Sequence, residues 1–195
     1  LRLESNDKGP LKWIGGAYLF DESIDVDSFN YSSIGGNTQN GYATQSQENR
    51  AYAVFGSLNY DVSDALKVRG GLRYTRDKKD FVADRITAPP FSPPFIGRLS
   101  TGTSASNVSG DFSGTYAISK ATNFYGRIAT GFRAPAIQGR LLFGDAHSVA
   151  DSEKVTSIEG GMKSDLLDGR ARVSLGLFQY TMKNQQLTAV GGAAN

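Results

Sequence analysis

Residues 107–135, NVSGDFSGTYAISKATNFYGRIATGFRAP, alternate strictly at period two, and this restricts the fold more than any other feature of the chain. Val108, Gly110, Phe112, Gly114, Tyr116 and Ile118 take one side of an extended backbone, and Asn107, Ser109, Asp111, Ser113, Thr115 and Ala117 the other. After a polar turn at Ser119-Lys120-Ala121, Phe124, Ile128 and Phe132 share one side, with Asn123, Tyr125, Arg127 and Arg133 opposite. Successive strand side chains point to opposite faces, so the pattern predicts two half-buried strands joined as a hairpin. Each arm is about 10 residues or longer, against roughly 5–6 for an ordinary globular strand. A strand tilted across a bilayer needs about 9–11 residues. The expectation is a hairpin from a membrane-spanning barrel.

The remaining chain supplies more arms of the same kind. Residues 1–4 read as the tail of a strand, followed by a turn at Asn6-Asp7-Lys8-Gly9-Pro10. Residues 13–29 predict a long strand with Ile14, Gly16, Tyr18 and Phe20 on its apolar face and an acidic far end (Asp21, Glu22, Asp25, Asp27). Residues 30–49 predict a polar loop. Tyr52, Val54, Leu58 and Tyr60 then align on one face; Leu66, Val68, Leu72 and Tyr74 follow after a turn at 62–65, with Lys67, Arg69, Arg73 and Thr75 opposite. Residues 84–106 predict a second long loop, since Pro89-Pro90 and Pro93-Pro94 do not suit a central strand. A third loop covers 136–151, and a last hairpin turns at Asp165-Leu166-Leu167-Asp168-Gly169 and returns through Val173, Leu175 and Leu177. Phe178 and Tyr180 fall on what should be the polar face, which either a bulge or an inward aromatic ledge explains.

Composition removes most other chemistries. The chain has no cysteine and a single histidine, His147, so neither thiolate nor histidine metal centres form from it. Asp21, Glu22, Asp25 and Asp27 lack the glycine and terminal glutamate of a calcium loop. His147 near Asp145 or Asp151 has no G-x-S-x-G elbow to serve, and no nucleotide-binding glycine motif is present. No enzyme and no cofactor are expected. A net charge of +2 gives no bulk attraction to nucleic acid, and aromatics and arginines fall mostly on opposite faces. No apolar run reaches the roughly 18 residues of a transmembrane helix. A mean hydropathy of −0.34 fits a soluble protein and equally a barrel that hides apolar residues at alternate positions.

Loop length separates the architectures. Turns near 6–10, 62–65, 119–121 and 166–169 are short, whereas those near 30–49, 85–106 and 136–153 are long, in strict alternation. Up-and-down outer-membrane barrels sort short and long connections to opposite ends; a soluble sandwich has no such reason. The expected fold is therefore all-β, an antiparallel up-and-down meander of about eight strands. The chain opens already alternating, without a Met start or leader, and stops at Gly191-Gly192-Ala193-Ala194-Asn195, so it reads as a segment of a longer polypeptide.

Gly131-Phe132-Arg133-Ala134-Pro135, closing a strand that begins Thr122-Asn123-Phe124-Tyr125, resembles the GF(K/R)AP signature of TonB-dependent outer-membrane receptor barrels. EKVTSIEGGMK at 153–163 resembles that family's E…S.E.G.K strand, and Asp168-Gly169-Arg170, Leu177-Phe178-Gln179-Tyr180 and Asn184-Gln185-Gln186 its following hairpin. Leu1-Arg2-Leu3 with Trp13-Ile14-Gly15-Gly16-Ala17-Tyr18 resembles an earlier hairpin. The resemblance implies that residues 1–195 are part of a barrel of about 22 strands. It also implies an outer-membrane location and outer-membrane lipid around the wall. The plug domain and TonB box, absent from this chain, would connect it to the TonB energy-coupling complex. Active import of a scarce nutrient is implied, with iron–siderophore complexes the family's commonest cargo. A small self-contained outer-membrane barrel with a structural or adhesive role, and a soluble β-sandwich binding module, are the alternatives.

Within that reading, Lys67, Arg69, Arg73, Asp111, Arg127, Arg133 and Glu159 are expected to face the lumen. They would meet the plug or the substrate route, or simply be solvated. Tyr52, Tyr60, Tyr74 and Tyr116, read as lying near strand ends, suit the aromatic girdle at the lipid interfaces, the alternative being an ordinary core. Pro135 is expected to end ladder pairing after Arg133.

Overall fold

The computed structural model describes residues 1–6, 8–34, 36–90, 97–141 and 146–187. Asp7, Pro93-Pro94, Asp145 and residues 188–195 lie outside the described residues. The strands are β1 (Arg2–Glu4), β2 (Leu11–Ser32), β3 (Thr38–Asp61), β4 (Leu66–Thr87), β5 (Gly97–Ala117), β6 (Thr122–Arg133), β7 (Ala136–Gln138), β8 (Ser148–Ala150), β9 (Glu153–Leu166) and β10 (Ala171–Lys183). All pairings are antiparallel, and an eight-stranded sheet runs in the order β1-β2-β3-β4-β5-β6-β9-β10, the chain passing through β7 and β8 between β6 and β9. β7 and β8 form a separate two-stranded ribbon. Among the described residues β1 and β10 do not pair with each other, so the sheet is open.

Two of the three expected long loops are largely strand. β3 begins at Thr38, β4 runs to Thr87 and β5 begins at Gly97, so residues 38–49, 84–87 and 97–106 extend the ladder. The reason is backbone pairing. Residues 97–106 of β5, rich in Ser, Thr and Gly, pair with residues 76–85 of β4, and the Gln- and Asn-rich start of β3 pairs with β2 and β4, so backbone amides are satisfied without an apolar pattern to announce them. What alternates in length is therefore the strands' reach, and β2–β5 rise well past the end of β6.

Register divides the sheet into two faces, because direct cross-strand partners share a face. The first carries Leu11, Trp13, Ala17 and Leu19 of β2 beside Tyr60, Leu58, Val54 and Tyr52 of β3. It continues through Leu66, Val68, Leu72 and Tyr74, then Val108, Phe112 and Tyr116, then Phe124 and Ile128, Met162 and Ile158, and Leu175 and Leu177. No Asp, Glu, Lys or Arg interrupts this band from Tyr60 to Tyr52 or from Leu66 to Tyr74. Each span is about 27 Å along the strand.

The expected apolar face of the second strand is corrected by this register. Ile14, Gly16, Tyr18 and Phe20 pair with Ser57, Phe55, Ala53 and Ala51, on the polar face. A bulge opposite Asn30/Tyr31, where β3 carries the extra residue Asn40, shifts the register by one and inverts both faces of β2 relative to β3. At the other end, β9 and β10 pair without any shift, and Phe178 and Tyr180 oppose Glu159 and Ser157. The aromatic ledge is the correct alternative; there is no bulge.

The β5–β6 ladder stops at Asp111↔Ala129, while β6–β9 continues to Arg133↔Glu153. Thr130 bridges the parting: its Oγ1 accepts from Gly110 N–H at 2.9 Å and donates to the Gly110 carbonyl at 3.3 Å. Thr130→Val removes both bonds, and amide exchange at Gly110 is expected to accelerate about fivefold or more, the equivalent of one net hydrogen bond of about 1 kcal/mol. Unchanged exchange would show that the bridge contributes nothing.

Beyond Arg133 the chain leaves the sheet at Pro135 and crosses the polar face of the tall strands. Leu141 is fully buried against Phe81 and Ala83, with Leu99 and Ile137 beside them. Arg85 Nη1 donates to the Leu141 carbonyl at 3.2 Å. A Cβ on Gly139 would lie 2.1 Å from the Phe81 ring, so only glycine allows this close a crossing.

Candidate functional site

The polar face opposite the apolar band holds all seven predicted polar site residues, and the register brings four of them together. Arg69, Arg73 and Asp111 line one cleft of about 420 Å³ with Arg2, Phe55 and Ser109. Asp111 Oδ2 lies 4.0 Å from Arg69 Nε and 3.9 Å from Arg127 Nε, so one carboxylate is shared by two guanidinium groups. Gly71, directly opposite Asp111, makes the room: a Cβ there would sit 3.1 Å from Asp111 Oδ1. Glu159 is the register partner of Arg127 but makes no ion pair within 4.0 Å among the described residues. Lys67 and Arg133 are set apart. Lys67 reaches Asp61 at 3.6 Å beside a short turn, and Arg133 reaches Glu153 at 3.9 Å where β6 ends.

Arg73 is held by Phe55 and by Tyr18, which alternation alone places on the wrong face. Its guanidinium carbon lies 5.5 Å from the Tyr18 ring centroid and 5.8 Å from that of Phe55, and its Nε donates to Thr75 Oγ1 at 3.0 Å. A guanidinium over an aromatic face is stabilised by the ring quadrupole. Phe55 in turn covers Gly16, whose Cβ would come within 2.6 Å of the ring. Lys163 stands 5.7 Å from the Tyr125 centroid on the same face. The expected separation of aromatics from arginines thus fails on the polar face. With Arg69 and Arg127 sharing the Asp111 carboxylate and Arg73 beside them, this patch is a cationic wall suited to contacting anionic or hydrogen-bond-accepting groups.

The four tyrosines share the apolar face. Tyr60 and Tyr116 lie beside the short turns, whereas Tyr52 and Tyr74 lie mid-strand, because β3 and β4 continue for 13 or more further residues. They mark where apolar side chains give way to charged ones rather than where strands end. The acidic residues of β2 do not form one cluster: Glu22 bonds Asn49 Nδ2 at 2.8 Å on the polar face, while Asp21 reaches Arg50 at 3.4 Å on the other. No group of three His, Cys, Asp or Glu residues is placed to hold a metal among the described residues.

Two polar pairs outside the apolar band shift their titration. Tyr42 is raised above its ordinary value by burial first, then by Asp27, which accepts its hydroxyl proton at 3.3 Å. Asp165, beside a short turn, is lowered by the hydrogen bond from Arg172 Nε at 2.5 Å. A carboxylate whose folded pKa is depressed contributes stability above its unfolded pKa and loses it as pH falls through the folded value. The stability difference between wild type and Asp165→Asn is therefore expected to stay constant above about pH 5 and shrink below about pH 4, read from denaturant titrations.

A family model described as TonB dependent receptor-like, beta-barrel matches residues 2–195. The chain belongs to that family. It is a family of transport receptors rather than enzymes, and its β-barrels are outer-membrane proteins. Among solved structures, the chain is similar to the ferric yersiniabactin uptake receptor FyuA from Yersinia pestis, with a TM-score of 0.78 and 18% identity over 95% of this chain. It is also similar to the ferric-catecholate import receptor Fiu from E. coli K12 (TM-score 0.70, 17% identity, 98% of this chain). The siderophore receptor PiuA from Acinetobacter baumannii gives a TM-score of 0.63 at 16% identity over 91% of this chain. This chain spans 28%, 32% and 30% of the three receptors respectively.

In this TonB-dependent barrel segment, several site features had no sequence signal of their own. Gln186 ties the loop after Pro135 to the end of β10, its Nε2 donating to the carbonyls of Ala134 at 2.8 Å and Asp151 at 2.9 Å. It lies inside a stretch that resembles the family, yet nothing about a single glutamine foretells a loop clamp. Tyr125 and Phe55 follow from alternation alone, whereas Tyr18 could be placed only with the register known.

Proposed function

We propose that residues 1–195 form a stretch of wall in a larger outer-membrane TonB-dependent receptor, a barrel of about 22 strands, that imports an iron–siderophore complex. The observation that carries the reading is architectural. Eight strands are laid side by side along nearly the whole chain as in three receptors whose names specify ferric or siderophore ligands. At 16–18% identity those receptors support the fold, and the cargo follows from their shared theme. The apolar face would meet lipid, with Tyr52, Tyr60, Tyr74 and Tyr116 at its interfaces. The polar face would line the lumen, with Lys67, Arg69, Arg73, Asp111, Arg127, Arg133 and Glu159 turned toward a plug domain and the passing ligand. Coupling to TonB would run through that plug. Among the described residues the outer edges of β1 and β10 have no partner strand, which agrees with this arrangement, since backbone amides in lipid need partners on both sides.

Immunoblotting of fractionated source cells, grown with and without iron, tests the proposal. A band in the outer membrane several times heavier than 20.9 kDa, induced on iron starvation, is the expected result. A heavy outer-membrane band indifferent to iron would retain the receptor and overturn the siderophore. A soluble band at the mass of this chain would overturn both.

A further inference from the structure

Immediately past the apolar band, the lipid-side face changes to cationic within one register step. The row Leu19–Tyr52–Arg76–Ser106 is followed by Asp21–Arg50–Lys78–Ser104. Arg50 and Lys78 are direct cross-strand partners, and Arg76 is two residues from Lys78 on the same face of β4. Three cations thus occupy a footprint about 5 Å across and 7 Å along two adjacent strands. Like charges placed opposite one another on a sheet repel unless an anion sits among them.

The acids nearby only partly meet that need. Arg50 shares Asp21 at 3.4 Å and Glu48 at 3.3 Å, and Lys78 takes Asp80 at 2.7 Å. Arg76 is exposed and has no carboxylate within ion-pair distance among the described residues. These are solvent-exposed pairs, Arg50 and Lys78 having side chains 61% and 58% accessible. Such pairs hold weakly and can exchange partners. The charges are also sorted by height. The two rows nearest the band hold three cations and one acid, and the rows beyond hold Glu48, Asp80, Asp25, Asp27 and Asp84, with Arg98 their one cation. Directly beneath the cations, Val54, Tyr74 and Val108 share one apolar row.

We infer that Arg50, Arg76 and Lys78 form a docking site for the phosphorylated headgroup of a membrane lipid. Its phosphate sits among the three cations and its acyl chains lie down the Val54–Tyr74–Val108 wall. A soluble anion would use the cations alone, whereas a phospholipid-type amphiphile uses the cations and the apolar row under them. The inference rests on the membrane reading above, and deepens it by naming a lipid contact for the wall's outer side. Arginine forks and a flexible lysine together suit a tetrahedral phosphate.

The test uses the full-length protein in nanodiscs of zwitterionic lipid, titrated with lipid A, with dephosphorylated lipid A and with inorganic phosphate. Retained lipid is counted by native mass spectrometry. Wild type is expected to retain lipid A in preference to the dephosphorylated form. The variant Arg50→Gln/Arg76→Gln/Lys78→Gln is expected to bind it about tenfold or more weakly, since each basic side chain at a membrane surface contributes severalfold. Arg76→Gln alone should give an intermediate loss, and Asp25→Asn/Asp27→Asn no loss. Equal retention by wild type and the triple variant would overturn the site while leaving the membrane reading intact. Inorganic phosphate competing as well as lipid A would overturn the lipid in favour of a soluble anion. Protein that fails to enter nanodiscs would overturn the membrane reading and this site with it.

Discussion

Gly161→Ala is expected to destabilise the sheet by about 1–3 kcal/mol, the usual range for forcing an added methyl into a filled site. The same substitution at Gly126 is expected to be neutral or slightly stabilising. Tyr125, Gly161 and Gly176 occupy one register row across β6, β9 and β10. Tyr125 lies over both glycines, so a Cβ on Gly161 would be 2.7 Å from its Cε1 and 2.8 Å from its hydroxyl. The same Cβ would come within 2.3 Å of the Leu175 carbonyl oxygen. The ring can swing away; the carbonyl belongs to the neighbouring strand and cannot move without breaking the ladder. Tyr125→Ala in the Gly161→Ala background should therefore recover only part of the loss. At Gly126 the nearest atom to an added Cβ is 4.0 Å away, and replacing glycine there mainly reduces the entropy of the unfolded chain. Urea titrations of the full-length protein in lipid vesicles would read both variants. Equal effects at Gly161 and Gly126 would show that the row is not packed as described.

The sequence showed alternation clearly and its phase only in part. From Tyr52 through Met162, even-numbered residues stay on the apolar face, because the connections between these strands leave the parity unchanged. Alternation alone was therefore enough to group Tyr52, Tyr60, Tyr74 and Tyr116 on one side, and Lys67, Arg69, Arg73, Asp111, Arg127, Arg133 and Glu159 on the other. Parity inverts twice outside that range. The bulge at Asn30/Tyr31 inverts β2, and a four-residue turn between Leu166 and Ala171 inverts β10. In β2 the inversion could not be read, because Ile14, Tyr18 and Phe20 are as apolar as Leu11, Trp13 and Leu19. In β10 it misled nothing, because Val173, Leu175 and Leu177 announce the apolar face directly, and the anomaly at Phe178 and Tyr180 is an aromatic ledge on the polar face. A one-residue slip moves every side chain of a strand to the other face, and its cause can lie 15 residues away in a polar hairpin. The tall strands were illegible for a related reason. Residues 38–49 and 97–106 pair through backbone amides while carrying Ser, Thr, Gln and Gly side chains typical of loops.

That inversion gives the second large effect. Gly15→Arg is expected to cost about 2–4 kcal/mol in a bilayer, the range for a basic side chain on the lipid face near mid-depth. Gly15 lies in the row Gly15–Gly56–Leu72–Gly110, within the apolar band, and an added Cβ would meet nothing closer than the Phe55 carbonyl at 3.8 Å. Steric clash is thus not the source of the cost; charge in hydrocarbon is. Ile14→Arg, one residue earlier, points into the cleft lined by Arg2, Arg69 and Arg73. Its expected cost is about 1 kcal/mol or less, from lost contact and from repulsion that added salt screens. Simple alternation from Ile14, Gly16, Tyr18 and Phe20 forecasts the reverse order. Because the chain contains no cysteine, single-cysteine spin labels at Ala17 and Tyr18 in this segment provide an independent reading. The label at 17 should relax with oxygen, which concentrates in lipid, and the label at 18 with a water-soluble nickel chelate. If Ile14→Arg proves the costlier variant and the label at 18 is the oxygen-accessible one, the bulge at Asn30/Tyr31 is absent in the membrane and the wall of β2 faces the other way.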